Sequence, residues 1–78
     1  SQLDPTATRV IEETIAMLDG EGRTVVLATH DLGQARRLAR RVLFVHAGRI
    51  HEDAPAAIFF TEPKTVEARA FLAGDLLA

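Results

Sequence analysis

Thr24-Val25-Val26-Leu27-Ala28-Thr29-His30-Asp31 decides how this chain is read, because an unbroken apolar run ends abruptly in two side chains that can do proton and hydrogen-bond chemistry. A run that is apolar at successive positions, with no alternation of in and out, is covered on both faces; that is the condition of a parallel strand in an α/β sheet. Residues 24–29 are therefore expected to form one buried parallel strand feeding a loop. In such sheets ligands sit beyond the carboxyl ends of the strands. Thr29, His30 and Asp31 fall at that end.

Working outward toward the N-terminus, Asp4-Pro5 is a helix start. The carboxylate can accept from an orphan backbone N–H, and proline at the first helical position gives up a donor that had no partner. The helix is expected to run to about Leu18, with Val10, Ile11, Thr14, Ile15 and Leu18 as its apolar stripe and Gly20 as a left-handed C-terminal cap. Working outward the other way, Asp31 and Gln34 stand three apart and can form a capping box at the start of a second helix. Leu32, Ala35, Leu38, Ala39 and Val42 give it an inward face, and Arg36, Arg37, Arg40 and Arg41 crowd its far end, where positive charge suits the macrodipole. Val42-Leu43-Phe44-Val45-His46 and Arg49-Ile50-His51-Glu52-Asp53 then read as two strands joined at Ala47-Gly48, the glycine supplying a positive φ. Leu43, Val45 and Ile50 would share the core face, and Phe44, His46, Arg49 and His51 the other. Pro55 opens a short helical segment through Phe60, and a last helix is expected over residues 65–73, docked by Val66, Ala70 and Phe71 and stopped by Gly74.

Composition bounds the function. Seventy-eight residues make one domain at most, and a chain of this size buries only about 60% of its unfolded surface, so a large enzyme core is not available. A formal charge of −2 argues against general attraction to nucleic acid or anionic lipid. Cysteine is absent, which removes disulfides and thiolate metal sites and fits a reducing compartment. No apolar run approaches the ~20 residues a membrane span needs. The expectation is a soluble, cytoplasmic piece.

Each chemical candidate has a plain structural alternative. His30 is placed to meet a ligand, or else to cap the following helix or fill the end of a strand. Asp31 is explained by a helix cap, and Asp4 by another. His46 and His51 on one hairpin face could share a metal ion, but they stand diagonally and no clear third ligand completes a set, so no metal site is expected. Four arginines on one helix end could meet phosphates, yet interleaved aromatic residues for stacking are lacking, and a solvated face accounts for them.

Taken together, Ser1-Gln2-Leu3-Asp4-Pro5, the run from Thr24 to Asp31, and Gly48-Arg49-Ile50-His51-Glu52 resemble the C-terminal portion of an ATP-binding cassette (ABC) ATPase, the motor subunit of membrane transporters. Ser1, Leu3 and Asp4 match the family's D-loop, Ser-Ala-Leu-Asp, with Gln2 in place of alanine. His30 matches the switch histidine and Asp31 the acidic residue after it. Gly48, Ile50 and Glu52 match Gly-x-Ile-x-Glu, while Ala54 stands where the family often has glycine. The resemblance covers the whole chain.

The resemblance implies an α/β fold class: a fragment of a P-loop NTPase-type core with one buried parallel strand, a short β-hairpin and three to four helices, residues 1–78 forming a single incomplete domain. The Gly-x-x-x-x-Gly-Lys-Ser/Thr loop, the Leu-Ser-Gly-Gly-Gln signature and the acidic strand do not occur in the sequence; by the family's order they precede Ser1. The intact protein is then implied to use ATP and Mg2+, to pair with a second nucleotide-binding subunit through the D-loop, and to work under a membrane permease at the inner face of the membrane, as an importer of a small solute. His30 would be the catalytic residue here, donating to the γ-phosphate or orienting the attacking water. The chain alone is expected to be inactive, to bind neither cofactor tightly, and to self-associate through its uncovered strand. The alternative is a small stand-alone module that contacts nucleic acid or an acidic protein through its arginine-rich helix.

Overall fold

Asp4 and Pro5 start the first helix as expected. In the computed structural model, which describes residues 4–74, α1 spans Pro5–Gly20, and the Ala7 N–H donates to Asp4 Oδ1 at 2.8 Å. The helix runs past Leu18, and its left-handed terminator is Gly22 (φ 80°) rather than Gly20. The reason lies in the closing bonds: Arg23 N donates to Leu18 O at 3.0 Å and Gly22 N to Asp19 O at 2.9 Å, the pair that a Schellman turn makes around one left-handed residue.

Residues 23–30 follow with no helix, turn or ladder. The buried parallel strand is therefore not formed within this chain. Every residue of this segment is exposed, Val26 to 88%. The apolar run is a property of the sequence, but a strand is a property of a pair. Among the described residues the only ladder is the one between the two hairpin strands. The chain divides into two compact units, Ser1–His30 and Asp31–Ala78, and α1 buries no residue fully.

The second unit begins with α2 (Leu32–Leu38), capped by Asp31, whose Oδ1 accepts from Gln34 N at 3.0 Å. This helix is shorter than expected. Ala39 is already extended (φ −77°, ψ 135°), and Arg41 is drawn into a ladder opposite Pro55, so Val42, Arg40 and Arg41 leave the helix. The hairpin pairs β1 (Arg41–His46) with β2 (Arg49–Pro55), antiparallel. Its loop is Ala47-Gly48, with φ of 52° and 74°, positive at both central residues as a type I′ turn demands. Next come α3 (Ala56–Thr61) and α4 (Val66–Leu72). Thr65 caps α4, its hydroxyl accepting from Ala68 N at 3.1 Å.

The face of the hairpin that forms the core is the opposite of the one expected. Phe44, Phe59 and Ala68 are buried, with Val42, Ala54, Phe60, Phe71 and Leu72 packed around them. Leu43, Val45 and Ile50 are 53%, 61% and 62% exposed. Two physical facts override the count of aliphatic residues. The phenylalanines of α3 and α4 come down on Phe44, at ring separations of 5.9 Å (Phe59) and 5.4 Å (Phe71), which suits tilted aromatic packing. A bulge between Phe44 and Val45 inserts an extra residue opposite them, and His51 lies edge-on to Phe44 at 6.2 Å. On α4, Val66, expected to dock the helix, is 71% exposed, and Ala68, which the sequence reading did not name, enters the core instead. No helix among the described residues is long and apolar enough to cross a membrane.

Candidate functional site

His30 ends the apolar segment and is exposed; the next residue, Asp31, is the N-cap of α2. The imidazole is thus presented at the junction the sequence singled out, carried by the segment rather than by a formed strand. Asp31 acts as a cap through Oδ1. Asp4 does the same at α1, which uses one carboxylate oxygen and keeps the group at the exposed start of the helix. Ser1 and Leu3 lie outside the described residues.

His46 and His51 lie side by side on the hairpin. Their ring centroids are 5.5 Å apart, but His51 Nε2 lies 3.1 Å from the His46 carbonyl oxygen. A carbonyl can only accept, so that nitrogen carries the proton and is not a free ligand. His51 Nδ1 faces Glu67 Oε1 at 3.7 Å. Among the described residues no group of three or more His, Cys, Asp or Glu side chains could hold a metal ion.

The arginines are likewise divided among local partners. The Arg36 guanidinium sits 4.7 Å from the centroid of the Phe60 ring, a cation–π contact. Arg41 Nε donates to Asp53 Oδ1 at 2.6 Å across the hairpin.

The group that sequence reasoning did not single out for a structural role is Glu52. It is 8% exposed and accepts from Lys64 N at 3.0 Å, Thr65 N at 2.9 Å and Thr65 Oγ1 at 2.6 Å. Arg69 grips the same loop by its carbonyls, Nε donating to Pro63 O at 3.2 Å and a terminal guanidinium nitrogen to Lys64 O at 2.8 Å. Burial alone would raise the Glu52 pKa. The Thr65 hydroxyl, the two backbone N–H groups and the Arg69 charge outweigh it and hold the carboxyl below its ordinary value. The one signal in the sequence was its place in Gly48-x-Ile50-x-Glu52; its partners are 12 and 13 residues away, beyond any local pattern.

No protein-family model matches the chain, and no solved structure does. Curated sequences do. The glutamate/aspartate import ATP-binding protein GltL of Escherichia coli K12 is 41% identical over 73 residues, 94% of this chain and 30% of that protein. The glutamate transport ATP-binding protein GluA of Corynebacterium efficiens is 46% identical over 78 residues, 100% of this chain and 32% of that protein. The phosphate import ATP-binding protein PstB 2 of Natronomonas pharaonis is 40% identical over 77 residues, 99% of this chain and 27% of that protein. The chain spans about three tenths of the length of these relatives. Its mixed helix-and-hairpin architecture goes with the P-loop NTPase-type class of those proteins. Similarity from end to end, together with the motifs read along it, places these 78 residues in the ABC transporter ATP-binding subunit family.

Proposed function

We propose that residues 1–78 serve as the C-terminal part of the ATP-hydrolysing domain of an ABC importer for a small solute, with polar amino acids as the foremost class. The observation that carries this reading is the 46% identity over all 78 residues to a glutamate transport ATP-binding protein, supported by a second relative that imports glutamate and aspartate.

The residues present do not by themselves fit ATP or Mg2+. The sequence has no phosphate-binding loop, and the described residues offer no cluster of metal-ligating side chains. Both cofactors are assigned to residues outside these 78, and this chain's share is narrower. His30 contributes one imidazole N–H at the exposed end of the apolar segment, a donor suited to phosphate oxygen or to the attacking water. Ser1, Leu3 and Asp4 form the D-loop contact with a second nucleotide-binding subunit. The permease sits above the pair, and the assembly lies at the inner face of the membrane.

The test is a chimera in which these 78 residues replace the matching segment of GltL. His30→Ala in that chimera lowers the rate of phosphate release by ~10²-fold or more, the scale of removing one positioned transition-state donor, while nucleotide affinity changes far less. Release at the unsubstituted rate would assign His30 to helix capping and remove it from the mechanism.

A further inference from the structure

His51 is held from several sides within the second unit, and its side chain is 21% exposed. Phe44 meets the ring edge-on at 6.2 Å, and the His46 ring lies 5.5 Å away. His51 Nε2 carries the ring proton, because its neighbour at 3.1 Å is the His46 carbonyl oxygen. In the neutral imidazole Nδ1 is then left with a lone pair and no hydrogen. That lone pair faces Glu67 Oε1, in the first turn of α4, at 3.7 Å. An acceptor stands against an acceptor. The carbonyl and the carboxylate are both matched only when both ring nitrogens carry hydrogen.

We infer that His51 and Glu67 form a proton-operated clasp between the hairpin and α4. While the ring is neutral the clasp is open. When Nδ1 takes a proton, the new N–H donates to Glu67 Oε1, and a shift of about 1 Å brings the pair to the length of a charge-assisted hydrogen bond. Imidazole is the side chain whose ordinary titration lies between about pH 5 and 8, so the clasp closes over that range as pH falls. It adds to a second tie on the same helix, the bonds from Thr65 to Glu52, which persist because the Glu52 carboxyl is held below its ordinary value of 4.5. The clasp goes beyond the proposed role in transport and does not rest on it.

The charges around the ring select this pair. From β1 the titratable group facing His51 is His46; two positive rings so close repel, and His51 is the one with a carboxylate beside it. α3 (Ala56–Thr61) carries no titratable side chain. On α4, Arg69 is turned to the carbonyls of Pro63 and Lys64. On β2 itself, Glu52 is occupied by Lys64 and Thr65, Asp53 by Arg41, and Arg49 is exposed at the turn.

The test is a double-mutant cycle on the full chain: parent, His51→Gln, Glu67→Gln and the double variant, unfolded in urea at about pH 5.5 and about pH 8. The unfolding constants show a coupling of about threefold at the lower pH, the scale of a partly exposed ion pair, and none at the higher. His46→Gln, which keeps the carbonyl acceptor, leaves that coupling in place. Equal coupling at both pH values, or none at the lower, overturns the inference. Nitrogen-15 spectra of the imidazoles read the proton directly and need only the parent chain. His51 is the Nε2–H tautomer at the higher pH and protonated on both nitrogens at the lower; an Nδ1–H tautomer at the higher pH overturns the clasp, whatever the variants do to folding.

Discussion

At the scale of single residues, Glu52 does what no other side chain among the described residues does: it brings a charge into the core region and answers it with three donors from a loop 12 and 13 positions away. Glu52→Gln keeps the shape but turns one acceptor oxygen into an NH2 group facing donors. The second unit should lose about 1–3 kcal/mol at neutral pH, the cost of buried donors left unmatched, measured as a shift in the urea midpoint by far-ultraviolet circular dichroism. The pH dependence has a definite sign. The folded carboxyl is held below its ordinary value of 4.5, so its contribution is fully present above 4.5 and is lost as pH falls through the lower folded value. The parent should therefore lose stability on acidification faster than the Gln variant, and the two should converge. Parallel pH profiles would show that Glu52 carries no such linkage.

At the scale of elements, the hairpin shows which information is local and which is not. Its turn was legible, because positive φ at Ala47 and Gly48 is set by the two loop residues and their neighbours. The helix starts were legible for the same reason: Asp4, Asp31 and Thr65 each bond an N–H three residues ahead. The covered face was not legible. Counting aliphatic side chains favoured Leu43, Val45 and Ile50, whereas the decision rests on where the rings of Phe59 and Phe71 land, which is tertiary. Nor was the absence of a strand at residues 24–29, since pairing depends on a neighbour that a sequence window cannot supply. As for the candidate site, the position of His30 at the end of the apolar segment was readable, while the anchoring role of Glu52 required contacts made across the second unit. The face assignment has a direct check. Phe44→Ala should cost about 3–5 kcal/mol, as for a buried phenylalanine, and Val45→Ala less than ~1 kcal/mol, by the same urea titration. Equal losses would mean that both faces of the hairpin are covered.

At the scale of the whole molecule, the two units carry different kinds of information. The second, Asp31–Ala78, has its own aromatic core and a buried, satisfied carboxylate. The first, Ser1–His30, has a capped helix with no buried residue and an exposed apolar segment. It also carries every residue proposed to serve nucleotide chemistry or subunit contact: Ser1, Leu3, Asp4 and His30. Both units lie within the 78 residues that are 46% identical to a glutamate transport ATP-binding protein. The central claim is that these residues are interchangeable with the same portion of such a protein. The most direct measurement is phosphate release by purified GltL in which these 78 residues replace the matching segment, with circular dichroism to establish that the chimera is folded. Turnover within about tenfold of unaltered GltL, a difference of ~1.4 kcal/mol in barrier, is the predicted result; a folded chimera that binds ATP and releases no phosphate above buffer would contradict it.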